Sequence, residues 1–449
     1  MNRRGLTLTE MLVATALTVI VMAVVAQLFS VFGASVSGSR SLTELSARLR
    51  TTSYRLRRDL DGATAALLPP LSPSEGEGYF EIIEGPHRDL DAANGSDELR
   101  ADDDDVLLFT TRDVRAPFTG RFPGGSIQGD TAEVAWFLRP TVPATSPPTH
   151  TLYRRQLLVL GYVGKDPFQA NGNRMAFGSL SDGYRSFFDQ FDVSVARLGD
   201  DLIPNTLSDL TRRERRFLHN PAGDVTGSGF PYPFLADHQI ASTDPARDTL
   251  PAGAEGLVFD GASARRGEDV MLTNVVAFDV RVFDPAAPIG ESSGTVIAPG
   301  DDAAIPPGST TGAYVDLGNG INAAEGFPTP PTAPRFAGQG HPLSRLVGSA
   351  STRRIYDTWS THYESNGLDE DGEGGVDQGS NDLDDEVPPR AGGAIPLWPK
   401  DGIVDDAGER ETSPPYPSPL RGIEIRLRCY EPTSRQLRQV TIRHTFLPH

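Results

Sequence analysis

Apolar residues are distributed along the chain in three regimes. From Met11 to Phe32 they run without a charge, interrupted only by Thr15, Thr18, Gln27 and Ser30. Extended back to Leu6 and wound as a helix at about 1.5 Å per residue, this stretch reaches roughly 40 Å. That exceeds the roughly 30 Å hydrocarbon core of a bilayer, so residues 6–33 read as a transmembrane helix. Past Phe32 the pattern turns amphipathic. Leu42, Leu45, Leu49, Leu56 and Leu60 recur at helical steps, and Arg40, Arg48, Arg50, Arg55, Arg57 and Arg58 fill much of the remaining surface. Pro69-Pro70 marks a stop, which predicts an amphipathic stem over 34–67 continuous with the apolar helix.

After Pro70 the period shortens to two. Within 68–160, Val106–Thr111, Glu133–Leu138 and Leu152–Leu157 read as strands. Residues 161–265 form a turn-rich insertion with a short helix around Thr211–Leu218. In 266–283, Val276, Phe278, Val280 and Val282 share one face of a strand. Residues 284–345 are rich in Pro, Gly and Ala with little periodicity and read as a long loop or extended linker. Residues 346–421 are acidic. Residues 422–449 predict a terminal hairpin, with Ile423, Ile425, Leu427 and Cys429 on one face and a turn near Pro432-Thr433-Ser434. The expected class is α+β, a long membrane-spanning stem helix packed on an antiparallel β-rich head with large loop insertions.

Arg3 and Arg4 precede the apolar run, which keeps the N-terminus cytoplasmic and exports the remainder. A secretory signal peptide cut near Gly33-Ala34 is the alternative. The short basic flank weighs against it, and so does Glu10, a carboxylate at the membrane end of the apolar run. Gly5-Leu6-Thr7-Leu8-Thr9-Glu10 followed by the long apolar helix resembles the start of type IV pilins and type II secretion pseudopilins. The resemblance implies a leader, residues 1–5, that a prepilin peptidase removes after Gly5, and N-methylation of Leu6. Leu6 departs from the Phe usual there. Leu6 and Glu10 lie one helical turn apart, so the new amine comes within reach of a Glu10 carboxylate, its own or a neighbour's. At 4 Å and an effective dielectric near 20, such a pair attracts by about 4 kcal/mol; the family implies the intermolecular version. Leu56-Arg57-Arg58-Asp59-Leu60 and the strand order resemble the J-type pseudopilins and W-type minor pilins, which implies a pilin-like head.

Composition separates the stem from the head. The 449 residues carry a net charge of −19, which disfavours a nucleic-acid-binding surface. A single cysteine, Cys429, excludes an intrachain disulfide framework and any multi-thiolate metal site. In the acidic stretch Asn366–Glu386, Asp369, Asp371, Glu373 and Asp377 fall at relative positions 1, 3, 5 and 9, with Gly374 at 6. This resembles an EF-hand or a shorter D-x-D-x-D-G loop, whose alternate oxygen ligands converge on Ca²⁺. Glu373 at position 5 and Ser380 at position 12 depart from the pattern. A degenerate copy follows, with Asn381–Glu386 echoing Asn366–Asp371 and Asp401–Asp405 loosely echoing Asp371–Asp377. The run Asp102–Asp105 lacks alternation and glycine and is the weaker candidate.

Enzymatic signatures fail on context. Gly290-Glu291-Ser292-Ser293-Gly294 fits the nucleophile-elbow pattern but opens into a loop. Gly318–Ala323 fits a weak dinucleotide pattern but leads into Pro-rich sequence. The eight histidines are scattered, against a zinc site. The expectation is a non-enzymatic structural subunit, a minor pilin or pseudopilin, held in the inner membrane with its head outside and assembled into a pilus or pseudopilus. Its partners would be other pilins or pseudopilins, the prepilin peptidase and an inner-membrane assembly platform. The alternative is a membrane-anchored surface binding protein or adhesin; a tethered hydrolase ranks last.

Overall fold

A computed structural model describes residues 7–68, 70–84, 102–103, 105–141, 148–164, 169–170, 173–174, 187–188, 190–198, 201–217, 265, 267–292, 295–297, 310–317, 354–368, 376–384, 402–405 and 419–446. One helix, α1 (Leu8–Asp61), covers 54 residues. The described side chains of its apolar first half are exposed, whereas Leu45, Leu49, Leu56 and Leu60 are buried against the head. Each such leucine contributes about 1.5–3 kcal/mol. The helix stops six residues short of the expected Leu67. Gly62 ends it by passing under β-sheet backbone: its carbonyl accepts from the Arg112 amide at 2.8 Å, and a Cβ there would sit 2.4 Å from the Arg112 oxygen. Ala63 then bridges to Thr111, so tertiary contact overrides the helical periodicity.

The early strands are β1 (Phe80–Glu84), β2 (Val106–Arg112), β3 (Phe118–Phe122), β4 (Gly125–Gly129), β5 (Thr131–Pro140) and β6 (His150–Leu158). Short pairs follow: β7 (Gln169–Ala170) with β8 (Asn173–Arg174), and β9 (Val195–Leu198) with β10 (Asp201–Pro204). The later strands are β11 (Val270–Ser292), β12 (Thr295–Ile297), β13 (Thr310–Val315), β14 (Arg354–Asp357), β15 (Gly422–Glu431) and β16 (Gln436–Thr445). The main sheet is antiparallel, in the order β14-β1-β2-β5-β6-β11-β15-β16, with β12 and β13 also paired to β11. One contiguous core joins the stem leucines to Phe80, Phe109, Trp136, Phe137 and Phe278. The fold is therefore a long apolar helix plus an antiparallel β-rich domain.

Two low-periodicity segments carry more structure than their composition suggests. Residues 284–345, expected as loop, contain the end of β11 together with β12 and β13. The β11–β13 register shifts between Asp284 and Pro288; proline donates no amide hydrogen bond, so the bulge hides the strand from a period-two reading. Residues 161–265 contribute Phe187, Phe188, Val193, Leu210 and Phe217 to the same core. The short helix expected near Thr211 is two 3₁₀ turns, Asp209–Thr211 and Arg213–Arg215. They are tied to the sheet by the buried Arg216, whose Nη1 bonds Glu81 Oε2 at 3.1 Å and Asp357 Oδ1 at 2.8 Å. Its guanidinium also stacks 4.1 Å over the Tyr79 ring.

Candidate functional site

The helix start carries the first group of interest. Thr7 is the N-cap of α1, and Glu10 completes a capping box. Glu10 Oε2 accepts from the Thr7 amide and from Thr7 Oγ1, each at 2.8 Å. Gly5 and Leu6, the expected processing residues, lie outside the described residues. Among the described residues α1 is the one helix long and apolar enough to cross a membrane, and the apolar window is unburied. Phe29 and Phe32 project from it at 74% and 66% exposure. A surface of this kind, unpartnered in water, is stable only in lipid or against other apolar helices.

The second group fixes this helix to the head. Asp59 sits on the sheet-facing side of the last turns and is buried. Arg154 of β6 clasps it with two hydrogen bonds, Nε to Oδ2 at 2.6 Å and Nη2 to Oδ1 at 2.9 Å. Trp136 Nε1 of β5 adds a third at 3.1 Å, and Thr111 Oγ1 donates to the Asp59 carbonyl at 2.7 Å. The bidentate fork sets both distance and rotation of the helix on the sheet. The preceding residue, Arg58, bonds Asp113 through its Nε at 2.5 Å. That bond, with backbone amides, holds the Asp113 carboxyl below its ordinary range.

Of the expected calcium ligands, Asp377 is described; Asp369, Asp371 and Glu373 lie outside the described residues. The Asp377 carboxylate accepts from the amides of Asn366 and Gly367, at 2.9 and 3.0 Å, while Asn366 Oδ1 accepts from Leu368. The echo in sequence is an echo in geometry. Asn381 Oδ1 accepts from Leu383, and the Asp382 amide donates to Asp405 Oδ1 at 3.0 Å. Gly367 and Asp382 have φ of 83° and 62°, and Asp377 and Asp405 both have φ of 54°. The two copies close equivalent turns, the second with a longer excursion between its halves.

A further pair of acidic groups lies inside the head. Glu84, Asp102 and Asp105 offer carboxylate oxygens within 4.8 Å of one another, as do Asp102, Asp279 and Asp316. Arg281 bonds Asp316 at 2.8 Å and lies 3.6 Å from Asp279. Backbone amides of Val280 and Leu317 reach Asp105 and Glu84 at 2.6 and 3.1 Å. All-oxygen donors suit a hard cation. Sequence reading passed over Glu84, Asp279 and Asp316. Asp279 and Arg281 alternate with Val280 and Val282 and so look solvent-facing, yet both are buried.

The G-x-S-x-G segment enters a β-hairpin, with Gly290–Ser292 paired to Thr295–Ile297, rather than a strand-to-helix turn. The chain matches no family model, no curated protein and no solved structure.

Proposed function

We propose that this chain is a non-enzymatic structural subunit of the pilin and pseudopilin type. In this reading it is cleaved after Gly5, N-methylated at Leu6 and assembled through its N-terminal helix into a type IV pilus or type II secretion pseudopilus. The observation that carries it is α1 itself: one uninterrupted helix with an exposed apolar half and a half clasped to a β-rich head. A signal peptide has no need of that continuity, whereas a subunit that packs by its helix does. Glu10 at the start of the apolar run supports the same reading, since a carboxylate there is costly unless it meets a cation such as a new N-terminal amine. Before assembly the inner membrane holds the helix, and the head stands outside the cytoplasm.

Glu10→Ala tests assembly. The variant should reach the membrane at normal levels but no longer co-purify with other pilins or enter sheared fibres. Normal function as a lone anchored protein would instead favour a surface binding protein. We further propose that Ca²⁺ orders the acidic segment beginning at Asn366, on the strength of the duplicated Asp377 and Asp405 turns. Millimolar Ca²⁺ should raise the melting temperature relative to chelator, and no shift would remove calcium from the account.

A further inference from the structure

Where the last turn of α1 meets the terminal hairpin there is a cleft of about 670 Å³, with Arg57 and Asp61 on the helix side and β15 and β16 opposite. The register pairs Glu424 with Arg443 and Arg426 with Thr441, which places these four side chains on one face of the hairpin. Glu424 is buried at their centre and has both oxygens engaged. Oε1 accepts from Arg426 Nε at 2.9 Å and Oε2 from Arg443 Nε at 2.6 Å. Arg443 is held through its Nε, rests 5.5 Å over the Tyr314 ring, and keeps its side chain 68% exposed. Its guanidinium is thus held on the cleft wall while most of the side chain stays exposed. Arg57 lines the same cleft and makes no ion pair among the described residues.

The lining of the cleft holds three guanidiniums and two carboxylates, of which Arg426 also lies 3.9 Å from the buried Asp279, so the cationic charge at the mouth is that of Arg57 and Arg443. That sign is opposite to the rest of the head. Residues 1–61 carry eight arginines and four acids, a net +4, so residues 62–449 carry −19 − 4 = −23. Asp61 lies on the rim, 71% exposed and 3.5 Å from His444 Nδ1. Beyond a Debye length of about 8 Å the acidic head is screened, so a short anionic segment senses the cleft while a long polyanion is repelled by the head. Spaced guanidinium forks match spaced carboxylates. Gln439 and Thr441 line the same wall and offer amide and hydroxyl partners to a peptide backbone.

We propose that this cleft docks an acidic, carboxylate-bearing segment of a partner polypeptide. The site stands whether or not the chain assembles into a fibre. The test uses the full chain in neutral detergent and a fluorescent ten-residue peptide of alternating Glu and Gly, followed by anisotropy. Binding should be present at about 150 mM salt, where the head is screened, and weaken as salt rises further. Arg57→Gln and Arg443→Gln should each weaken it about tenfold, while Arg50→Gln, exposed on the same helix outside the cleft, should leave it unchanged. Arg57 is exposed and its side chain has no hydrogen bond or ion pair among the described residues, so its variant remains decisive even if Arg443→Gln melts early. Absence of binding would overturn the proposal. Equal loss from Arg50→Gln, or displacement by inorganic phosphate at the same charge concentration, would also overturn it, in favour of diffuse attraction or a small-anion site.

Discussion

Between Leu8 and Phe32, α1 exposes its apolar side chains on every side, with Leu17 at 59% and Phe29 at 74%. Between Leu45 and Leu60 the same helix buries its leucines and turns a charged face outward, with Arg50, Tyr54 and Arg57 exposed. The backbone does not change across the boundary, because a helix satisfies its own amides and carbonyls in either surrounding. What changes is the side-chain partner. The first half needs an apolar medium all round; the second needs only a stripe, locked in rotation by the buried Asp59. An isolated amphipathic helix is free to turn about its axis, whereas one clasped by Arg154 and Trp136 transmits the orientation of its apolar half to the head.

Substitutions that act on one half alone can break this comparison. Asp59→Ala should have the largest effect: it leaves the Arg154 guanidinium buried without its carboxylate, at about 3–5 kcal/mol, read as a large drop in head melting temperature. The exposed pair Glu44–Arg48, at 2.5 Å, provides the contrast; Glu44→Ala should cost under about 1 kcal/mol. Next, Leu56→Ala should cost about 2–5 kcal/mol by opening a cavity under the stem. Leu17→Ala in the apolar half should leave head melting within about 0.5 kcal/mol. Equal losses from Leu56 and Leu17 would mean that the two halves are not distinct environments.

Cys429 sharpens the head side. It is buried in β15, and burial pushes its thiol up to about 12. Thiol reagents at neutral pH should leave it untouched in the native protein and label it on denaturation; native labelling would mean that the hairpin does not close the core. The smallest effect belongs to Arg58 and Asp113. The folded Asp113 carboxyl titrates below its unfolded value of about 3.9, so its contribution is present above that value and fades as pH falls through the folded one. Arg58→Gln should flatten this acid limb of the stability profile and leave neutral pH nearly unchanged.

Features carried by local period could be read from sequence. The apolar run needs no neighbours to declare itself. The terminal hairpin was legible because Ile423, Ile425, Leu427 and Cys429 alternate cleanly, and β15 and β16 form there. Features carried by distant pairing could not. Arg216 and Asp357 meet across 141 residues, and nothing local marks either as buried. β13 reads Thr-Thr-Gly-Ala-Tyr-Val, too mixed to stand out before its pairing with β11 is known. Asp59 looked like one more charge on an arginine-rich stem, because a stripe of leucines does not show which neighbouring polar residue the sheet will cover.

Mass spectrometry of the N-terminal peptide of the membrane-extracted protein is the most direct test of the helix as an assembly element. The account predicts a chain that begins at N-methylated Leu6 and retains the whole of α1. A chain beginning near Ser35 would contradict it, because a head released by signal-peptide cleavage has lost the apolar half on which the proposed assembly depends.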